Sequence, residues 1–284
     1  MRNFLLLLLI CISFQGFSSN KSVMIIPFNQ DMYFSDADHE LARHNKISIP
    51  EVRAMFRHGL NTNINAHILA AYETRSLLND TIEGALEDLN AVYRSLRYRM
   101  EAPVGKFTIG KTEDSNESAE LEQKEKPGRG LRNLLSSNRD EEKGQQTDKY
   151  DVPDPDRRFM NVVIPNPEMF SYLSDKYQTN YFLFINQFEL ATNYDRCLDR
   201  ATNNFERTVK VHFSLFDKRG DQIAGDFVEV KFGSNSNDIM EIMKNKFPHI
   251  SQHLTAQLPV NERRLLPTGN HGEVKYQETN KDFE

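Results

Sequence analysis

The sequence predicts an α/β fold with α+β character: a mixed sheet that is parallel at its start, an antiparallel hairpin near its carboxyl end, flanking helices and a long disordered insert. Three observations predict it. Two apolar runs far apart in the chain, "VMIIPF" at 23–28 and "YFLFINQFEL" at 181–190, read as strands of a sheet interior, because a strand covered on both faces needs apolar residues at successive positions. Amphipathic stretches of helical period lie between them. Two segments alternating with period two, joined by "KRGDQ", follow the second run.

The first eighteen residues carry one cation, Arg2, then an apolar stretch from Phe4 to Ile12 and small residues at Gly16 and Ser18. This is the pattern of a secretory signal peptide with cleavage after Ser18. The run is too short for a spanning helix, which needs about 20 apolar residues. Bulky Ile10 before Cys11 disfavours lipid attachment. Without the leader, Cys197 is the remaining cysteine. A packed core, not a disulfide framework, must then stabilise the chain.

Lys+Arg total 35 and Asp+Glu 41 in 284 residues, a formal net charge of -6. That balance does not suit nucleic acid, whose phosphates call for a basic surface.

After the first strand, Ser48 and Glu51 stand at capping-box spacing with Pro50 in the first turn, so a helix starts there. Val52, Met55, Phe56, Leu60, Ile64, Ile68, Leu69 and Tyr72 give its apolar face, with Gly59 a weak spot. A second helix is expected from Ile82 to Leu96, with Asp80 and Glu83 as its box.

Residues 111–157 are dominated by charged and amide side chains and nearly lack large apolar ones. Such a segment cannot bury enough surface to offset its ordering entropy, so it reads as a disordered insert, with "GLRNLL" at 130–135 the one piece suited to docking. The expected organisation is therefore signal peptide 1–18, two halves of one α/β domain at 19–110 and 158–260, the insert between them, and a flexible tail at 261–284.

The second half opens with the strand "FMNVVI" and the helix "EMFSYLSDKY", then the central strand and a polar loop holding Cys197. In the hairpin, Val209, Val211, Phe213 and Leu215 share one face. A last helix starts near Asp238, shows Ile239, Ile242, Met243 and Phe247, and runs past Pro248 toward Leu258.

Three of these pieces carry a family resemblance. "VMIIPF" resembles the opening strand of the small α/β domain of the amino-terminal part of the Tol-Pal propeller protein TolB, the curli-secretion lipoprotein CsgG and the lipoprotein activators of penicillin-binding proteins. "LSDKYQTNYFLFINQFEL" is similar to that domain's following helix and strand, and "VHFSLFDKRGDQIAG" to its hairpin. Two departures stand out: a long helical section and charged insert follow the first strand, and the lipid-bearing cysteine of several members is missing. The resemblance implies an envelope protein that works by contacting other proteins.

Chemical motifs are sparse. In "HELARH" the two histidines, His39 and His44, are five apart, about 140° around a helix at about 100° per residue. They cannot share an ion as the zinc-protease pair one turn apart does. Asp36, Asp38 and His39 are of the right types to bind a metal from a loop, which would make the chain a periplasmic metal-dependent hydrolase. As turn initiators facing water they need no metal, and this reading is preferred. His249 and His253 share a helix face but lack companion ligands. Cys197 sits among mixed charges without an oxyanion turn. No nucleophile elbow, P-loop or dinucleotide fingerprint occurs, and no cofactor is expected.

The aromatics Phe28, Tyr33 and Phe34 at the first strand's exit either anchor a partner or roof the sheet, which alternation alone does not decide. The overall expectation is an exported bacterial cell-envelope protein, periplasmic or associated with the outer membrane. It acts through a protein partner and without catalysis, a metal or a cofactor. A small-ligand carrier is the remaining alternative.

Overall fold

The computed structural model describes residues 21–105 and 157–260. The expected leader and tail, and all of the expected insert except Arg157, lie outside the described residues. The protein is an α/β fold with a mixed sheet. Strand β1 (Ser22–Ile26) pairs in parallel with β3 (Glu73–Ser76) on one side and with β6 (Tyr181–Asp199) on the other. β6, β7 (Asn204–Asp217) and β8 (Gln222–Gly233) continue the sheet antiparallel, giving the order β3-β1-β6-β7-β8. The short β2 (Tyr33–Ser35) also pairs with β6, further along than β1. The two apolar runs lie side by side, with Val23 opposite Tyr181 and Ile26 opposite Phe184.

One sheet face is covered by α1 (Asp38–Asn45), α2 (Ile49–Leu69) and α5 (Ile239–Ala256). α2 begins at the expected box: Ser48 Oγ accepts from the Glu51 amide, and the Glu51 carboxylate accepts from the Ser48 amide at 2.7 Å. A cap contributes about 1 kcal/mol. Val52, Phe56, Leu60, Ile64 and Ile68 are all buried, and at about 1.5–3 kcal/mol per fully buried apolar side chain this stripe outweighs the cap. Gly59 does not interrupt the helix. A side chain there would collide with Met243 Sδ, so the missing Cβ lets α2 and α5 approach.

The opposite face is covered by α3 (Ala85–Ser95), α4 (Glu168–Tyr177) and a separate two-stranded ribbon of β4 (Arg97–Glu101) with β5 (Phe159–Val163). Met24, Ile26, Phe182, Phe184 and Phe216 meet Leu89, Val92, Phe170 and Leu173 there. The ribbon joins the main sheet's edge through a bridge between Val104 and Gly225.

Several elements differ from expectation. α3 starts at Ala85, not Ile82: Asp80 caps a turn by accepting from the Ile82 amide at 2.9 Å, and Gly84 at φ 81 precedes the first helical residue. β3 has the polar sequence ETRS, which carries no strand signal. "FMNVVI" is a strand but pairs with β4 outside the main sheet. β6 does not end in a loop before Cys197; it runs to Asp199 as an exposed ribbon with β7, where Cys197 pairs with Phe205.

Candidate functional site

The surface around Phe34 is built from β2 outward. Asn29 caps a tight turn at Gln30–Met32 that delivers the chain into β2. Alternation then sends Tyr33 inward and Phe34 outward. Tyr33 stacks on Phe188 with centroids 5.4 Å apart, and Phe188 in turn contacts Phe28, Phe56 and Phe247. The Tyr33 hydroxyl donates to Asp38 Oδ1 at 2.7 Å, and Arg53 Nε donates to Asp38 Oδ2 at 3.0 Å. Burial, and next the bond to Asp38, push the Tyr33 phenol well above its ordinary range. This clamp ties β2 to α1 and α2, so Phe34 stands on a rigid base.

Phe34 is 51% exposed and separates two open grooves. One, about 460 Å³, runs past Ser35, Asp36, Arg53 and Leu190. The other, about 580 Å³, runs between Met32, Tyr98, Met100 and Met160. Both are lined by Glu189.

Glu189 belongs to a polar network that docks the β4–β5 ribbon on the sheet. The Met160 amide donates to His212 Nδ1 at 2.9 Å. That assignment leaves Nε2 as the nitrogen carrying hydrogen, and it donates to Glu189 Oε1 at 3.1 Å. Gln187 Nε2 donates to the same oxygen. Asn186 Nδ2 donates to Ser214 Oγ and to the Met160 carbonyl, both at 2.7 Å, and Ser214 Oγ donates to Asn161 Oδ1. Asn161 Nδ2 donates to Glu101 and Gln222. The His212 bond is the main cause holding the Glu189 carboxyl below the usual carboxylate range, with Lys210 and Gln187 adding to it against partial burial.

The network contains a serine, a histidine and a carboxylate but not a nucleophilic triad. Ser214 is fully buried and gives its proton to Asn161, not to His212. General-base activation requires the nucleophile and base to be hydrogen-bonded and open to substrate.

The residues singled out by sequence are only partly brought together. Phe28 and Tyr33, expected either to anchor a partner or to roof the sheet, are 2% and 6% exposed, with their rings against Phe188. Phe34 alone of the three is exposed. Asp36, Asp38 and His39 do not converge. Asp36 accepts from the Thr192 amide at 2.8 Å and its hydroxyl at 3.2 Å, Asp38 serves the Tyr33–Arg53 clamp, and His39 is exposed on α1. Asp38 is buried in the first turn of α1 and not in a solvated loop. Among the described residues, no group of three or more His, Cys, Asp or Glu is arranged to hold a metal ion. His253 is half-buried, its Nε2 without a partner among the described residues, and desolvation lowers its pKa, while His249 is exposed.

Glu189, Gln187 and His212 were missed by sequence reasoning. Their signal was present: "NQ" and Glu189 interrupt an otherwise apolar central strand, and His212 sits between apolar residues on the hairpin strand beside it.

No known family matches the chain, and no curated protein does. Among solved structures, a match is a Caulobacter crescentus chain titled a "putative lipoprotein", with 18% identity and a TM-score of 0.18, covering 28% of this chain and 61% of that one. The present chain thus spans less than two thirds of that neighbour, and an overlap this small carries no inference about fold or role. Among the described residues, no helix is long and apolar enough to cross a membrane.

Proposed function

We propose that this chain is an exported cell-envelope protein that acts without catalysis, by holding another envelope protein at the surface centred on Phe34. The observation that carries the reading is a large, half-exposed aromatic ring between two grooves, on a strand tied to α1 and α2 through Tyr33, Asp38 and Arg53. Rigid aromatic anchors beside pockets are the residues that dominate protein interfaces. The leader-like pattern of residues 1–18 and the resemblance of "VMIIPF" and the hairpin to envelope-protein domains support the compartment. The unconnected Asp36, Asp38 and His39 weigh against the hydrolase alternative.

The test is site-specific photocrosslinking in the intact envelope. A benzophenone amino acid at position 34 is expected to give a discrete adduct, and the same group at the exposed Met240 of α5 to give none. No reproducible adduct from position 34, or identical adducts from both positions, would overturn the proposal.

A further inference from the structure

The grooves beside Phe34 have an uneven charge balance. Arg53 and Arg99 line them, but Arg53 is bonded to Asp38 and Arg99 to Glu101. Lys210, on the neighbouring strand, places its ammonium 2.6 Å from Glu229. Counting these arginines with their partners, four carboxylates (Asp36, Asp38, Glu101, Glu189) stand against two guanidiniums. The carboxylate that both grooves share accepts hydrogen bonds from Gln187 and His212, while the nearby Lys210 acts on it through charge alone and bonds Glu229. Both of Glu189's hydrogen bonds end on Oε1, and Oε2 accepts none among the described residues.

A second observation concerns Gln187. It is only 7% exposed, lines the groove beside Glu189, and its Oε1 has no hydrogen-bond partner among the described residues. A buried amide oxygen without a donor costs about 1–3 kcal/mol. The walls are apolar and adaptable: Met32, Met100 and Met160 with the Phe34 ring. Unbranched thioether side chains suit a surface that must mould itself to a partner.

We propose that this groove receives a basic side chain, preferentially arginine, from an extended segment of the partner protein, with the cation against Glu189 and apolar flanking residues on Phe34 and the three methionines. A guanidinium has five donors in a planar fork and needs several acceptors at once. Glu189 and Gln187 both line this groove, and Glu189 Oε2 is the acceptor left over there. An acidic segment is disfavoured, because its carboxylate would meet Glu189 where the lining guanidiniums are already paired with Asp38 and Glu101. The inference rests on the Phe34 surface being the contact site, and it adds the chemistry of what is held there.

The experiment measures fluorescence anisotropy of the purified full chain with labelled peptides. The first has Leu-Arg-Phe at its centre between Gly-Ser flanks, the second citrulline in place of arginine, and the third glutamate. The arginine peptide is expected to bind at least tenfold more tightly than the citrulline peptide, and the glutamate peptide most weakly. Glu189→Gln, which keeps an acceptor for His212 and Gln187, should erase the difference between arginine and citrulline in a protein whose native fold is verified by circular dichroism. Phe34→Ser should weaken the arginine and citrulline peptides alike. Equal binding of those two peptides, a preference that survives Glu189→Gln, or no binding by any peptide overturns the inference. If the two bind equally and Phe34→Ser still weakens both, the contact surface stands and its cation preference falls. Binding indifferent to Phe34→Ser removes the surface itself.

Discussion

Replacing Asp38 by alanine removes the acceptor shared by Tyr33 and Arg53, and the two halves of the cost can be worked separately. The Tyr33 hydroxyl lies under α1 and donates to Asp38 at 2.7 Å. Left without an acceptor, a buried hydroxyl costs about 1–3 kcal/mol. The Arg53 side chain is 53% exposed and returns to water when its partner goes, so that half is worth about 0.2–1 kcal/mol, the range of solvent-screened pairs. The expected destabilisation is about 1–4 kcal/mol, most of it from the phenol. Tyr33→Phe deletes the donor instead and leaves Asp38 with Arg53, so it should cost less. In the double variant the phenol penalty is gone, and the cycle should return a coupling of about 1–2 kcal/mol. Urea unfolding of the four proteins measures this, given equal slopes of stability on denaturant. A coupling near zero would refute the clamp. Elemental analysis of the same preparations tests the alternative role of Asp38: a stoichiometric metal in the parent that Asp38→Ala loses would restore the loop of Asp36, Asp38 and His39 as a metal site.

The buried phenols set an alkaline limit. Burial raises Tyr33, Tyr98 and Tyr177 far above the ordinary value of 10.0 and pushes Tyr72 and Tyr93 up to about 12. A pKa raised in the folded state contributes stability that is complete below pH about 10 and lost as pH rises through the folded value; unfolding free energy should therefore hold from pH 8 to 10 and fall above it, less steeply in Tyr33→Phe. At the base of the β6–β7 ribbon, Arg207 is 1% exposed and donates to Thr192, Asn237 and Glu40 at 3.1, 2.9 and 2.6 Å. Because Glu40 is half exposed and rehydrates, Arg207→Ala should cost about 2–4 kcal/mol through lost hydrogen bonds and packing. Hydrogen exchange should then rise in residues 192–207 before it rises at 182–185, and uniform protection across β6 would contradict this.

What the sequence made legible followed where one force dominates. The apolar runs at 23–28 and 181–190 are continuous because both faces of the sheet are covered, and the hairpin alternates because its outer length is covered on one side. Ser48 and Glu51 signal a helix start through bonds three residues apart. The second such pair, Asp80 and Glu83, misled because the same side chain also caps a tight turn and Gly84 offered a later start. β3 and β4 were invisible in ETRS and RYRME: a short strand takes its pairing from its neighbour's backbone, not from its own side chains. Phe28, Tyr33 and Phe34 are alike in composition and differ only in which side of the chain faces the sheet. The groove was the least readable, since Phe34, Met100 and Glu189 come from three strands and meet only after the ribbon docks.

The most direct measurement is a methyl NMR titration of the full chain, labelled at methionine, with the arginine-centred peptide. The methyls of Met32, Met100 and Met160 are expected to shift together and saturate together, while buried Met24 and the exposed Met240 on the opposite layer stay fixed. Shifts at Met240 with Met32, Met100 and Met160 unmoved would place binding elsewhere and contradict the account.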